Sequence, residues 1–379
     1  MTSIEKLTRW VKTHCPEEVL GSKSRYGGGR QPISNPAFRS WFDACRDRGF
    51  TAPDWPEEYG GAGFGQQQSE ALKEAFRRVG APIPLVGAGR EMIGPLLLEM
   101  GTKDQKARHL SRIASGEVRW CQGYSEPGAG SDLASLQTRA VDNGDHYLVN
   151  GSKIWTSNAH LSDWMFCLVR TKTDVAKQEG ISFVLIAMDD PGLVVQQIDL
   201  INGASQFCQV FFDDVRAYKN DLVSQENHGW TIAKRLLQIE RSAVGGGSFI
   251  PQSGPLPEVL KRYAPADRAA RDRVLHHEMR RASYQLTRQR ATAEQETPGA
   301  ATFATSTFKY LSSRLESAGL DTTVALMGSQ GLGWQGDNFS DDELSAPRKM
   351  LLSKGYLIAG GSSEVQLNII AKRVLGLPD

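Results

Sequence analysis

Three short stretches of the chain carry side chains arranged for chemistry. In Ser125–Glu126–Pro127–Gly128–Ala129–Gly130–Ser131–Asp132, small residues separate two hydroxyls. Gly and Ala leave backbone N–H groups uncovered, so such a loop can approach a planar ring or an anion closely. The plainer alternative is a Pro-Gly turn. In Asn150–Gly151–Ser152–Lys153–Ile154–Trp155–Thr156–Ser157–Asn158, an Asn-Gly pair leads into a strand bearing one Trp and two hydroxyls. Taken structurally alone, that pattern is a hairpin with a core Trp. In the third stretch Ile232, Leu236, Ile239 and Ala243 fall on one face of a helix, and Glu240 stands at its edge. A carboxylate there can enter a largely dry pocket, where burial raises its pKa toward the range useful to a base. The alternative is a surface Glu beside a cation.

These stretches need elements to hold them. Residues 1–120 read as helices: Ile4, Leu7, Trp10 and Val11 form a stripe, 68–79 is rich in helix formers, and 90–115 is helical with a break at Gly101–Thr102. Residues 121–225 change character, with runs such as HYLVNGSKIW, DWMFCLVRT, ISFVLIAM, LVVQQIDL and CQVFFDDV separated by Gly, Asn and Asp. That rhythm predicts an antiparallel sheet, and the absence of intervening helical patterns argues against βαβ units. From 226 to 379 the pattern is helical again, closing with SSEVQLNIIAKRVLG before Leu-Pro. The expected fold class is α+β: an N-terminal helical domain, a central antiparallel β domain and a C-terminal helical bundle.

Composition narrows the partners. Lys plus Arg number 44 against 43 Asp plus Glu, so no clustered basic excess points to nucleic acid. No run approaches eighteen apolar residues, so no membrane span is expected. Cys15, Cys45, Cys121, Cys167 and Cys208 are odd in number and show no metal-ligand spacing, which predicts reduced thiols and a cytoplasmic setting. The His276–His277 pair is assigned no metal. GGAGFG at 60–65 lacks the strand and βαβ unit of a dinucleotide fingerprint.

Taken together, the stretches resemble the acyl-CoA dehydrogenase family over nearly the whole chain. Residues 125–132 match its signature (S/T)EPxAGSD, 150–158 match NGxKxWITN at the family's spacing, and Pro56–Gly61 match PEEYGG. Phe212–Val215 resembles the segment closing the β domain, and Gly360–Gln366 with Asn368–Ile370 resembles the second signature, EGTSEIQxNII. The resemblance implies FAD, held between the β domain and the C-terminal helices. It implies flavin contacts from Tyr124, Ser125, Ser131, Trp155 and Ser157, with Ser157 standing where Thr is usual. It further implies FAD contacts from Ser362 and Glu364, a place for Ser131 near the CoA thioester, and Arg241 lining the active-site region.

The reaction implied is oxidation of the Cα–Cβ bond of an acyl-CoA, which requires a base at the weakly acidic α-carbon. Many members place that base just before GTS; here the position is Gly360, without a side chain. A second family location, on the first long helix after the β domain, holds Glu240, the expected base. Two other features depart. RxxFG, which holds the FAD pyrophosphate of a neighbouring subunit, has no clear counterpart in 255–290, and Ala325–Gly328 replaces the QxxGG segment. Relatives lacking these features include bacterial members for unusual acyl groups, some pairing as unlike subunits.

Three readings follow. The first is an active dehydrogenase passing electrons to an electron-transferring flavoprotein, as a homotetramer, a dimer or a heterotetramer with a related subunit. The second is other flavin chemistry on the same scaffold: oxidase, monooxygenase or desulfinase. The third is a non-catalytic subunit of a heteromeric enzyme. A helical scaffold without cofactor is the remaining alternative, which a colourless protein would favour.

Overall fold

The computed structural model describes residues 3–22, 24–244, 253–295 and 305–378, with side chains for all of these except 240–244, 292, 295, 305 and 306. The chain divides into two units, Met1–Ile198 with Gln206–Ile239, and Asp199–Ser205 with Glu240–Asp379. No helix among the described residues is long and apolar enough to cross a membrane.

The first unit opens with α1 (Ser3–His14), α2 (Pro36–Asp47), α3 (Gln66–Val79), α4 (Gly94–Met100) and α5 (Lys103–Ala114). The α1 stripe is real: Val11 is fully buried, with Leu7 and Trp10 packed against its cluster. The expected break at 101–102 separates α4 from α5. Thr102 begins α5 with a capping box, its hydroxyl accepting from Gln105 N at 3.1 Å while the Gln105 side chain accepts from Thr102 N. A π-helical turn, Gly89–Ile93, precedes α4.

Strands follow: β1 (Trp120–Gly123), β2 (Arg139–Asp142), β3 (His146–Ser157), β4 (Trp164–Arg170), β5 (Ile181–Ala187), β6 (Leu193–Ile198) and β7 (Phe207–Tyr218). They lie in the order β1-β4-β2-β3-β7-β6, with β5 paired to β4. Pairing is antiparallel except where β4 meets β1 and, at one residue pair, β2. The short strand β1 escapes periodicity because four residues carry too little pattern. Strands β4 and β5 read as continuous apolar runs because both of their faces are covered. Phe166, Leu168, Phe183 and Leu185 enter one cluster, while Met165, Cys167, Val169, Val184 and Ile186 enter another.

Helix α6 (Gly229–Val244) leaves the sheet from a fixed start. Asn227, at φ 66°, donates its N–H to Ser182 Oγ at 2.8 Å and accepts from Thr171 Oγ1 at 2.7 Å. A Cβ on Gly229 would lie 2.5 Å from the Ser182 carbonyl carbon, so only Gly fits there. Ile232, Ala233, Leu236 and Ile239 then pack into the cluster holding Tyr124 and Ala129. The apolar face predicted for this helix is present up to Ile239; Ala243 lies outside the described side chains.

The second unit contains α7 (Leu256–Tyr263), α8 (Arg268–Gln295), α9 (Thr305–Met327), α10 (Asp341–Tyr356) and α11 (Ser363–Ile369), the last continued by a π turn, Ile370–Val374. Helix α9 packs against α7, α8, α10 and α11. Helices α7 and α10 were not legible as patterns: α7 is short, and α10 carries Pro347 inside it.

One buried group makes this fold sensitive to acid. His109 on α5 is 1% exposed, set edge-on to Trp120 and Trp164, and neither ring nitrogen has a hydrogen-bond partner among the described residues. Burial, with Arg108 and Arg112 adding to it, pulls its pKa from 6.5 to about 4. The unfolded chain therefore binds this proton first, and stability falls as pH drops through the window from 6.5 toward 4. Urea unfolding at pH 7 and pH 5 is expected to show a loss of about 2 kcal/mol from this residue, absent in His109→Phe.

Candidate functional site

The loop at 125–132 is closed by its own backbone. Glu126 N donates to Ala129 O and Ala129 N to Glu126 O, both at 3.0 Å, which turns the chain tightly through Pro127–Gly128. A Cβ at Gly128 or Gly130 would meet nothing within 4 Å, so the outer side of the loop is open. The inner side is held by charge. Glu126 accepts from Gln137 N at 2.6 Å, Thr138 N at 2.9 Å and Lys153 Nζ at 2.7 Å. Lys153 is fully buried and also donates to Tyr124 O at 3.1 Å. Burial opposes ionisation of Glu126, but the Lys153 charge and these hydrogen bonds outweigh it and hold the carboxyl below its ordinary value. Arg170 secures the following turn, donating to Ala134 O at 2.6 Å and Leu136 O at 3.0 Å.

The second motif departs from the hairpin pattern. Asn150–Gly151 is not a hairpin turn; β2 and β3 are joined through Asn143–Gly144, where Gly144 N donates to Asp142 Oδ1. Gly151 sits instead at a register shift within β3, at φ 142°, where a Cβ would lie 2.8 Å from Thr138 Cα. A second shift falls between Lys153 and Thr156, and between them Trp155 takes φ 60°. A bulge re-aims side chains, and this one turns Trp155 outward: it is 55% exposed, whereas Lys153 and Thr156 on either side are 0% exposed. The core-Trp alternative is thereby corrected. A left-handed bulky residue costs about 1–3 kcal/mol, and such strain persists where the surroundings over-determine it.

Loop and bulge meet at Ile154, whose N–H donates to Ser125 O at 2.8 Å. Tyr124 is buried edge-on to Phe166 and Phe183. Ser125 is half-buried, and Ser131, Trp155 and Ser157 are exposed. Sequence reasoning gave no role to Glu126 or Lys153, although both stand in the two motifs; the signal was a carboxylate set directly before Pro127–Gly128–Ala129–Gly130 and an ammonium set directly before Ile154–Trp155.

In the second unit Ser362 caps α11, its Oγ accepting from Val365 N at 3.4 Å. Glu364 is exposed, and hydrogen bonds from its own backbone and from Ser362 hold its carboxyl below the ordinary value, which suits a contact and not a base. Gly360 and Gly361 have φ of 69° and 101°. Buried Lys309 pins their turn, donating to Gly361 O at 2.6 Å and Leu357 O at 3.2 Å, and burial pulls its ammonium down to about 8. The side chains of Glu240 and Arg241 lie outside the described residues; their backbone belongs to α6. His277 is buried beside Arg281, and no group of His, Cys, Asp or Glu among the described residues could hold a metal. All five cysteines are free and buried.

Comparison with known proteins finds relatives along most of the chain. The family described as acyl-CoA dehydrogenase matches in three parts: its N-terminal domain over residues 30–117, its middle domain over 121–215 and its C-terminal domain over 227–375. The chain is 35% identical over 373 residues to acyl-CoA dehydrogenase IpdE1 of Mycobacterium tuberculosis, covering 97% of this chain and 95% of that protein. The fold is similar to that of the Tcur3481-Tcur3483 steroid ACAD, with TM-score 0.79 and 24% identity over 99% of this chain and 96% of that one. It is also similar to a chain of the ChsE4-ChsE5 complex from Mycobacterium tuberculosis, with TM-score 0.77 and 25% identity over 100% and 97%.

Proposed function

Because the chain belongs to the acyl-CoA dehydrogenase family of oxidoreductases, we propose that it binds FAD and converts an acyl-CoA thioester to the trans-2-enoyl-CoA. The observation that carries the reading is the junction of the two motifs: an open small-residue loop bonded to a bulge that turns Trp155 and Ser157 outward. These residues fit a planar ring, since the loop has room above Gly128 and Gly130 and Trp155 is an exposed aromatic side chain. Tyr124, Ser125, Ser131, Trp155 and Ser157 would hold the cofactor in the first unit. Ser362 and Glu364 are the FAD contacts proposed on α11. When bound, FAD supplies the acceptor for the hydride leaving the β-carbon.

Glu240 is the base in this reading. It takes the α-proton, the C–H pair at Cα becomes the new Cα=Cβ bond, and the β-hydrogen departs with its electron pair. Leu236, one turn before Glu240 in α6, is fully buried in the cluster that also holds Tyr124, which supports an apolar setting for the helix at this level. Ser131 and Arg241 bind the substrate, and the electrons pass on to an electron-transferring flavoprotein. The assembly is a homotetramer or dimer, or a heterotetramer with a related subunit.

Gly360 favours a second reading, in which the scaffold runs oxidase, monooxygenase or desulfinase chemistry, or serves as a non-catalytic subunit. The test is an anaerobic absorbance titration of the flavin-loaded protein with a panel of acyl-CoAs. Bleaching by at least one of them, with no rapid return of colour when air is admitted, supports dehydrogenation. Acyl-CoA-driven oxygen uptake in a parallel run in air, or sulfite release, supports the second reading.

A further inference from the structure

We propose that Glu126 and Lys153 form a positioning pair for the flavin site, setting the 125–131 loop against the Trp155 bulge so that both face one planar ligand. This deepens the reading above and rests on FAD binding. Both charges are withdrawn from water, Lys153 being 0% and Glu126 9% exposed. A buried ion pair is a weak stabiliser, because an apolar pair of similar volume often serves stability as well. Stability alone therefore does not call for two charges here.

Placement does. Lys153 is the last paired residue of β3 before the register shift, and Thr156 the next, so Lys153 anchors the near side of the bulge that carries Trp155. Its other bonds end on the loop, at Glu126 Oε1 and Tyr124 O. Glu126 in turn fixes the amides of Gln137 and Thr138, where the chain leaves the loop for β2. Charge-assisted bonds are short and directional, and a supporting shell of this kind holds contact groups to the tolerance a ligand requires. Apolar side chains would fill the volume without fixing the direction.

The experiment compares the holoprotein with the double variant E126Q/K153M, which removes both charges and leaves neither unpaired. The expected result is an unchanged far-UV spectrum with an FAD dissociation constant raised about tenfold or more and altered visible circular dichroism of the bound flavin. A double variant with wild-type FAD affinity and wild-type flavin dichroism overturns the positioning role. Hydrogen exchange on the wild type gives an independent check should the variant not fold. FAD is expected to slow exchange of the Gln137, Thr138 and Ile154 amides, and unchanged exchange at all three overturns the proposal. Failure of the wild type to bind FAD defeats the functional reading itself, a different result from binding that ignores the pair.

Discussion

Glu240→Gln is expected to slow the bleaching of flavin by acyl-CoA about 10³-fold, the middle of the range for loss of a positioned general base. Gln keeps the shape of Glu and a hydrogen-bonding end but cannot take a proton. FAD content, thermal midpoint and acyl-CoA affinity should therefore change little, which places the loss in kcat and not in binding. Rapid-mixing absorbance under anaerobic conditions reads the rate directly. Loss of rate with retained flavin and retained binding identifies Glu240 as the base. An unaltered rate would move the base elsewhere, and Glu364 is a poor substitute because its carboxyl is already held below the ordinary range. An unaltered rate seen only with a related subunit present would assign the chemistry to that subunit.

The second large effect concerns stability. Lys153→Met alone leaves Glu126 as a buried carboxylate without its cation, and Glu126→Gln alone leaves the buried ammonium without its anion. Breaking one side of a buried pair costs about 3–5 kcal/mol, far more than removing both sides together. Chemical denaturation should show each single variant destabilised by that amount, with the double variant E126Q/K153M recovering most of the loss. The coupling between the two positions is then read from the cycle of four proteins. Additive losses would show that the two charges do not act on one another.

Much of this architecture was written in local patterns. The order of helices, strands and helices followed from period and composition, and the motif at 125–132 announced an open loop because its residues are small. The bulge at Trp155 was not legible. A Trp following Ile154 in a strand has the composition of a core position, and only the pairing of β3 with β7, which shifts register between Lys153 and Thr156, turns it outward. The parallel contact of β1 with β4 was hidden for a similar reason, since strand direction is set by partners distant in sequence. Glu126 and Lys153 stood in plain view, yet their pairing spans 27 residues and depends on the loop folding back over β3. Gly360 could be seen to lack a base, while its left-handed φ of 69° and the grip of Lys309 on its turn belong to tertiary structure.

Proton exchange at the α-carbon separates the action of Glu240 from the hydride step. An acyl-CoA with sulfur in place of the β-carbon can be deprotonated at Cα but has no β-hydrogen to lose, so in D₂O its α-hydrogens report the base alone. The FAD-loaded protein is expected to exchange them, as followed by NMR, and Glu240→Gln is not. Exchange at the same rate in both proteins, or in neither, would contradict Glu240 as the base.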